Sequence, residues 1–263
     1  MQYTDNKIKQ YYKIWISLIN GIGIKKFNSL IKKFNTIEEI YKASREELLN
    51  TKGISEKICN EILDINTRTI AKNNLEYMYK NNIGIISIED KLYPDDLKEI
   101  YDSPIVLYYR GNINLLNKKN IAIIGCRECT KYGEEIAKKF SYNIANNEIN
   151  VVSGLARGID SYAHLGSLYS KGNTIAVLAN GLDIIYPSEN KKLANKILEK
   201  NGLIISEYPI GTKPIKQNFP ARNRIISGIS KAVLVVEAKL KSGTMITVDF
   251  ALEQGKDVFV IPR

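Results

Sequence analysis

The sequence predicts an α/β chain in which a small all-helical domain, residues 1–75, precedes a parallel sheet with helices on both faces, residues 76–263. Three observations predict it. Apolar residues recur at helical spacing up to about Asn74. Two β-rich runs follow. Short apolar runs then alternate with helix-compatible stretches to the end of the chain.

In the helical part, Ile14, Leu18 and Ile19, then Phe27, Leu30, Ile31 and Phe34, lie one helical turn apart. Two similar pieces sit among them: Asn20-Gly21-Ile22-Gly23-Ile24-Lys25-Lys26 and Lys52-Gly53-Ile54-Ser55-Glu56-Lys57, each followed by a helix. A helix, a tight glycine turn and a second helix with its N-terminal amides facing outward make a phosphate-binding hairpin. These pieces resemble helix-hairpin-helix motifs of DNA-binding proteins. A plain αα corner, in which glycine only closes the turn, is the other reading.

From residue 83 the texture changes. Runs 83–87 and 105–110 read as strands separated by Tyr93-Pro94 and Ser103-Pro104. Runs 121–125, 151–153, 174–178, 203–206, 232–236 and 258–261 then alternate with expected helices at 133–146, 161–170, 191–200, 223–229 and 247–253. Strands apolar on both faces and joined by helical crossovers make a Rossmann-like parallel sheet covered on both sides. Ligands in such sheets bind at the strands' C-terminal ends, near a topological switch point.

The residues at those ends are consistent with one another. Gly125-Cys126-Arg127 follows the first strand of the alternation, and Ser153-Gly154-Leu155-Ala156-Arg157-Gly158-Ile159-Asp160 the second. Asn180-Gly181-Leu182-Asp183 leads to Tyr186-Pro187, and Glu207-Tyr208-Pro209 leads to Phe219-Pro220-Ala221-Arg222-Asn223-Arg224. Ser242-Gly243-Thr244 follows the fifth strand. Glycine lets backbone N–H groups approach an anion, arginine grips phosphate bidentately, and Phe219 offers a ring on which a base stacks. Five such loops on one sheet edge predict a phosphate-bearing ligand, with single-stranded DNA the first candidate.

Composition bounds the rest. The net charge of +10 is spread along the chain: +4 over residues 1–120 (19 basic less 15 acidic) and +6 over 121–263 (19 less 13). That suits a polyanion without requiring one. Lysine outnumbers arginine 30 to 8, so the arginines at 127, 157, 222 and 224 hint that a planar fork is wanted there. Three cysteines fit a reducing cytosol. With no signal-like N-terminus and no apolar run of about 18 residues, a cytoplasmic protein without a membrane partner is expected.

The segments SGLARGIDSYAHLGSL, GLDIIYPSEN, FPARNRIISGIS and SGTMITVDFALEQGKDVFVIP, in that order, resemble the DprA/Smf family. YPDDLKEIYDSPIVLYYRG, the IAIIGCR turn and a helix-hairpin-helix or SAM-like N-terminal domain fit the same pattern. The resemblance implies a non-enzymatic single-stranded-DNA-binding mediator that protects incoming DNA and helps load the RecA recombinase in natural transformation and recombination, without a cofactor. It implies DNA contacts at Gly125 and Arg127; at Ser153, Gly154, Arg157 and Gly158; at Phe219, Arg222, Asn223 and Arg224; and at Ser242, Gly243 and Thr244. A turn contact for Ser153 and a helix-start hydrogen bond for Asn223 remain alternatives. Arginines at a helix start oppose its dipole, which favours a ligand role for Arg222 and Arg224. The family also implies a homodimer and a recombinase contact. Both depend partly on a segment that relatives carry beyond the position of Ile261-Pro262-Arg263, and its absence weakens both expectations.

Other chemistries fit less well. His164, the single histidine, is expected to be structural, held by Asp160 one turn before it. Cys126-x-x-Cys129 would need two more ligands to bind zinc, so no metal is expected. Asp160, Asp183, Glu207 and Glu237 are expected to orient arginines or cap helices. A LOG-type nucleotide phosphoribohydrolase would need a glutamate where Thr247 stands. A nicotinamide dehydrogenase would need a GxGxxG turn that the first crossover lacks. A nucleotide-sensing module stays open.

Overall fold

The periodic apolar residues of the N-terminal third fold into helices. The computed structural model describes residues 5–239 and 242–262. Arg263, where the family continuation is expected, lies outside them. The chain divides into two compact units, Met1–Asp90 with Tyr101–Tyr108, and Lys91–Ile100 with Tyr109–Arg263.

The first unit holds α1 (Asp5–Leu18), α2 (Ile24–Phe34), α3 (Ile37–Lys42), α4 (Arg45–Leu49), α5 (Glu56–Leu63), α6 (Ile65–Lys80) and the strand β1 (Gly84–Ser87). Trp15, Phe27, Leu30, Ile40 and Ile62 are buried within it, each stabilising the unit by about 1.5–3 kcal/mol. Side chains start the helices. Thr36 accepts the Glu39 N–H at 3.1 Å, Ser44 and Glu47 form a capping box, and Asp64 accepts the Asn66 and Thr67 N–H groups. Gly21 and Gly53 take left-handed backbone, φ 85° and 86°, and close the two hairpins.

The second unit contains α7 (Asp95–Lys98), and the chain re-enters it through β2 (Val106–Gly111). There follow β3 (Asn120–Gly125), α8 (Lys131–Asn146), β4 (Asn150–Ser153), α9 (Ile159–Leu168), β5 (Thr174–Val177), α10 (Lys191–Glu199), β6 (Leu203–Ser206), α11 (Asn218–Gly228), β7 (Ala232–Glu237), α12 (Gly243–Glu253) and β8 (Asp257–Val260). These strands run β6-β5-β4-β3-β7-β8, and every pair is parallel. β4, β5 and β6 are buried throughout, as their apolar runs require. Chain order reverses between β3 and β7, and that reversal is the switch point. Among the described residues, no helix is long and apolar enough to cross a membrane.

Two features depart from the reading of the sequence. β8 is expected to be buried on both faces, yet Phe259 and Val260 are 58% and 67% exposed. It ends the strand order and pairs with β7. The helices next to the switch point also start early, α11 at Asn218 and α12 at Gly243. Pro220 stands in the first turn of α11, where its missing N–H is not needed.

Candidate functional site

The C-terminal ends of β3, β4 and β7 meet α11 and α12 around a cavity of about 780 Å³. Its position follows from the topology. Strand order reverses between β3 and β7, so their crossovers leave on opposite faces and open a crevice.

Eight of the expected residues line it: Gly125 at the end of β3 and Arg127 after it; Phe219, Arg222 and Asn223 on α11; Ser242, Gly243 and Thr244 at the start of α12. Arg127 is exposed, and its guanidinium stands 5.6 Å from the centroid of the Phe219 ring. Asn223 donates to the Gly243 carbonyl at 3.2 Å and accepts from Arg222 Nε at 3.2 Å, which ties α11 to α12. Ser242 caps α12 in position only. Its side chain bonds none of the helix amides, and its Oγ is buried without a partner.

Arg222 also lines the cavity but is buried. It is 4% exposed, and its Nη1 donates to the Gly154 carbonyl at 2.9 Å and to the Val177 carbonyl. The Asp160 carboxylate beside it accepts the Gly154 and Ala156 N–H groups at 3.1 and 3.3 Å. Burial pushes the Asp160 carboxyl up, although the Arg222 charge pulls it down. Burial likewise pushes Arg222 down to about 10, against the pull of Asp160. Arg222 therefore stays charged at neutral pH and holds the Gly154 turn from within.

The other five expected residues lie outside the cavity lining. Ser153 is fully buried, and its Oγ donates to the Ile123 carbonyl at 2.7 Å, a contact between strands. Gly154 meets the site through Arg222 and Asp160. Gly158 begins α9 with φ 72°, against the Cys126–Arg127 turn. Arg157 pairs with Glu189 in the open, Nη2 to Oε2 at 2.8 Å. Arg224 is 8% exposed and pairs bidentately with Glu207 at 2.7 and 2.6 Å. The dipole argument for Arg222 and Arg224 fails, because both stand in the second turn of α11. Each is explained by a buried partner instead.

Tyr186, Lys216, Lys239 and Asp160 also line the cavity and were not expected as ligand contacts. Tyr186 lies 5.6 Å from Phe219, ring to ring. The signal for it was a tyrosine at the end of a glycine loop. Nothing singled out two lysines among 30.

The distracting groups fall elsewhere. His164 is fully buried and bonds Thr174 Oγ1 at 2.7 Å, not Asp160 as expected. Burial, helped by the Arg222 charge, pushes it down to about 3, so it is neutral. Cys126 and Cys129 are free thiols pushed up by burial. Glu237 accepts from the Thr130 N–H and hydroxyl, and Asp183 from the Gly211 N–H. Among the described residues no three His, Cys, Asp or Glu groups are placed to hold a metal.

Comparison with known proteins bears on this site. A family model described as DNA recombination-mediator protein A matches residues 84–263, and one described as a SAM-like helix-hairpin-helix tandem matches residues 16–64. The DNA processing protein DprA of Streptococcus pneumoniae is 48% identical over 176 residues, 67% of this chain and 62% of that protein. The protein Smf of Synechocystis is 39% identical over 262 residues, 98% of this chain and 65% of that one. The chain thus spans less than two thirds of the length of these relatives. The X-ray structure of the pneumococcal DprA superposes with a TM-score of 0.76 at 33% identity, covering 100% of this chain and 88% of that one. The Helicobacter pylori protein, solved to describe its single-stranded DNA binding mode, gives 0.63 at 36% identity, covering 68% of this chain and 81% of that one.

Proposed function

The chain belongs to the DNA recombination-mediator protein A family, and from that premise we propose that its switch-point cavity binds single-stranded DNA and works by binding, without catalysis. One observation carries the reading. The Arg127 guanidinium stands over the Phe219 ring in the lining of a cavity that also holds the start of α12. A ring stacks any base, and a cation beside it takes the adjoining phosphate, so the grip is indifferent to sequence. The α12 amides and the unpartnered Ser242 hydroxyl add donors for a second phosphate oxygen.

The non-catalytic part rests on what Asp160 and Thr247 do. Asp160 is occupied by two backbone N–H groups and Arg222, and Thr247 stands on the cavity wall where a hydrolase would place its glutamate. A cytoplasmic location, a RecA-type recombinase partner and a homodimer belong to the same proposal and rest on family membership.

Fluorescence anisotropy with labelled oligo-dT and duplex DNA tests it. The three exposed cations of the cavity lining, Arg127, Lys216 and Lys239, predict a slope of log K against log salt of about −2 for single strands, Arg222 being buried and held by carbonyls. Arg127→Ala should shallow the slope by about 0.7, and Phe219→Ala should cost about 1–3 kcal/mol. Duplex bound as tightly as oligo-dT would sink the reading. Release of a base from a nucleoside monophosphate would replace it with the hydrolase.

A further inference from the structure

We propose that Cys126 and Cys129 form a thiol–disulfide modification site that reacts with a small disulfide, and that closing it turns Arg127 away from Phe219; the effect on DNA rests on the single-strand reading above. The two cysteines are half-buried and pack on the core around Ile159, while Arg127 and Glu128 between them are exposed. The chain bends at both of these residues. Such a turn brings its end Cα atoms within about 7 Å, the span that a disulfide bridges. The Cys126 thiol folds back over the turn and donates to the Glu128 carbonyl at 3.2 Å. That carbonyl belongs to the peptide that enters Cys129, so the Cys126 sulfur already sits beside its partner residue. Burial, with the Glu237 carboxylate behind it, pushes both thiols up, and at rest both keep their protons.

Both ends of the turn are clamped. The Cys126 N–H bonds the Glu237 carbonyl at 2.7 Å, and the Cys126 carbonyl accepts the Ile159 N–H at 3.2 Å. Beyond Cys129, Thr130 bonds the Glu237 carboxylate through its N–H at 3.0 Å and its hydroxyl at 3.2 Å. Among the described residues, the Cys126 thiol alone hydrogen-bonds the backbone of Arg127 or Glu128. Oxidation removes the proton of that bond, and the two residues between the clamps take up the closure. Arg127 is one of them, so its guanidinium leaves its place 5.6 Å from the Phe219 centroid.

The step is a thiol–disulfide exchange. One cysteine thiolate attacks a sulfur of glutathione disulfide and releases one glutathione, and the second cysteine then attacks the mixed disulfide and releases the other. The two cysteine protons end on the two glutathione thiols. The protein is oxidised by two electrons, and glutathione disulfide is reduced by two.

Treatment with glutathione disulfide, followed by mass spectrometry and by anisotropy on labelled oligo-dT, tests the proposal. The protein should lose two hydrogens in mass and gain a link between Cys126 and Cys129, with the fully buried Cys59 left as a thiol. Oligo-dT affinity should fall about tenfold, the salt slope should become shallower by about 0.7, and dithiothreitol should restore both. Cys129→Ser should stop at a glutathione adduct on Cys126. In Arg127→Ala the oxidised and reduced forms should bind alike. A wild type that stays unmodified, or that stops at a glutathione adduct, overturns the site. A closed disulfide with unchanged affinity, or an equal loss on oxidation in Arg127→Ala, overturns its action on Arg127. A reduced wild type that binds no oligo-dT overturns the single-strand reading instead, and the mass result still decides the thiol pair.

Discussion

Arg222→Ala should destabilise the sheet unit by about 3–5 kcal/mol and remove DNA binding with it. The guanidinium is 4% exposed and satisfies the Gly154 and Val177 carbonyls while facing Asp160. Removing it leaves two carbonyls and a carboxylate in a void, which costs far more than the pair gained on forming. Against a total stability of about 5–15 kcal/mol, that loss is large. Arg222→Lys should recover only part, since a compact ammonium does not span both carbonyls as a planar fork does. Adding Asp160→Asn to Arg222→Ala should cost less than the two single losses together, because the stranded charge is gone. Chemical denaturation of the wild type and these four variants checks this. A loss below about 1 kcal/mol in Arg222→Ala would show that the buried pair is not a structural unit.

Gly158→Ala should have the next largest effect, roughly 2–6 kcal/mol from backbone strain and overlap combined. Gly158 sits at φ 72° and ψ −130°, a combination that residues with a side chain avoid. An added Cβ would also overlap the Cys126 and Arg127 carbonyl oxygens. Those belong to the turn that aims Arg127, and the Ile159 N–H bonds the Cys126 carbonyl at 3.2 Å. The alanine therefore pushes the β4 loop and the β3 turn apart, and oligo-dT affinity should fall with stability. Gly211→Ala separates the two causes. Gly211 has φ 88°, but nothing lies within 4 Å of its would-be Cβ, so that change should show the strain alone, about 1–2 kcal/mol. Equal losses at the two glycines would mean that the overlap at Gly158 is relieved without cost.

How much of this was legible in the sequence depended on whether a residue's neighbours are local. β4, β5 and β6 were legible because strands buried on both faces must be apolar throughout. The loops after β3 and β4 were legible because each sets an arginine, Arg127 or Arg157, close to a glycine in a chain with 30 lysines and 8 arginines. The partners of those arginines were not. Glu207 reaches Arg224 only because β6 brings it there, and Arg222 meets Asp160 across two crossovers. Sequence spacing assigned His164 to Asp160, whereas the fold gives it Thr174 from the neighbouring strand. Tyr186 stood out only as the end of a glycine loop and not as a ligand contact, because its importance lies in the ring beside it, Phe219.

The most direct measurement of the central claim is where a bound strand touches the protein. Photocrosslinking of an oligonucleotide carrying a halogenated uracil, followed by mapping of the attached peptides, gives that location. The account predicts adducts on Phe219 and Tyr186, lost on competition with unlabelled oligo-dT. Adducts confined to the helices of residues 5–80, with none on residues 186–219, would contradict it.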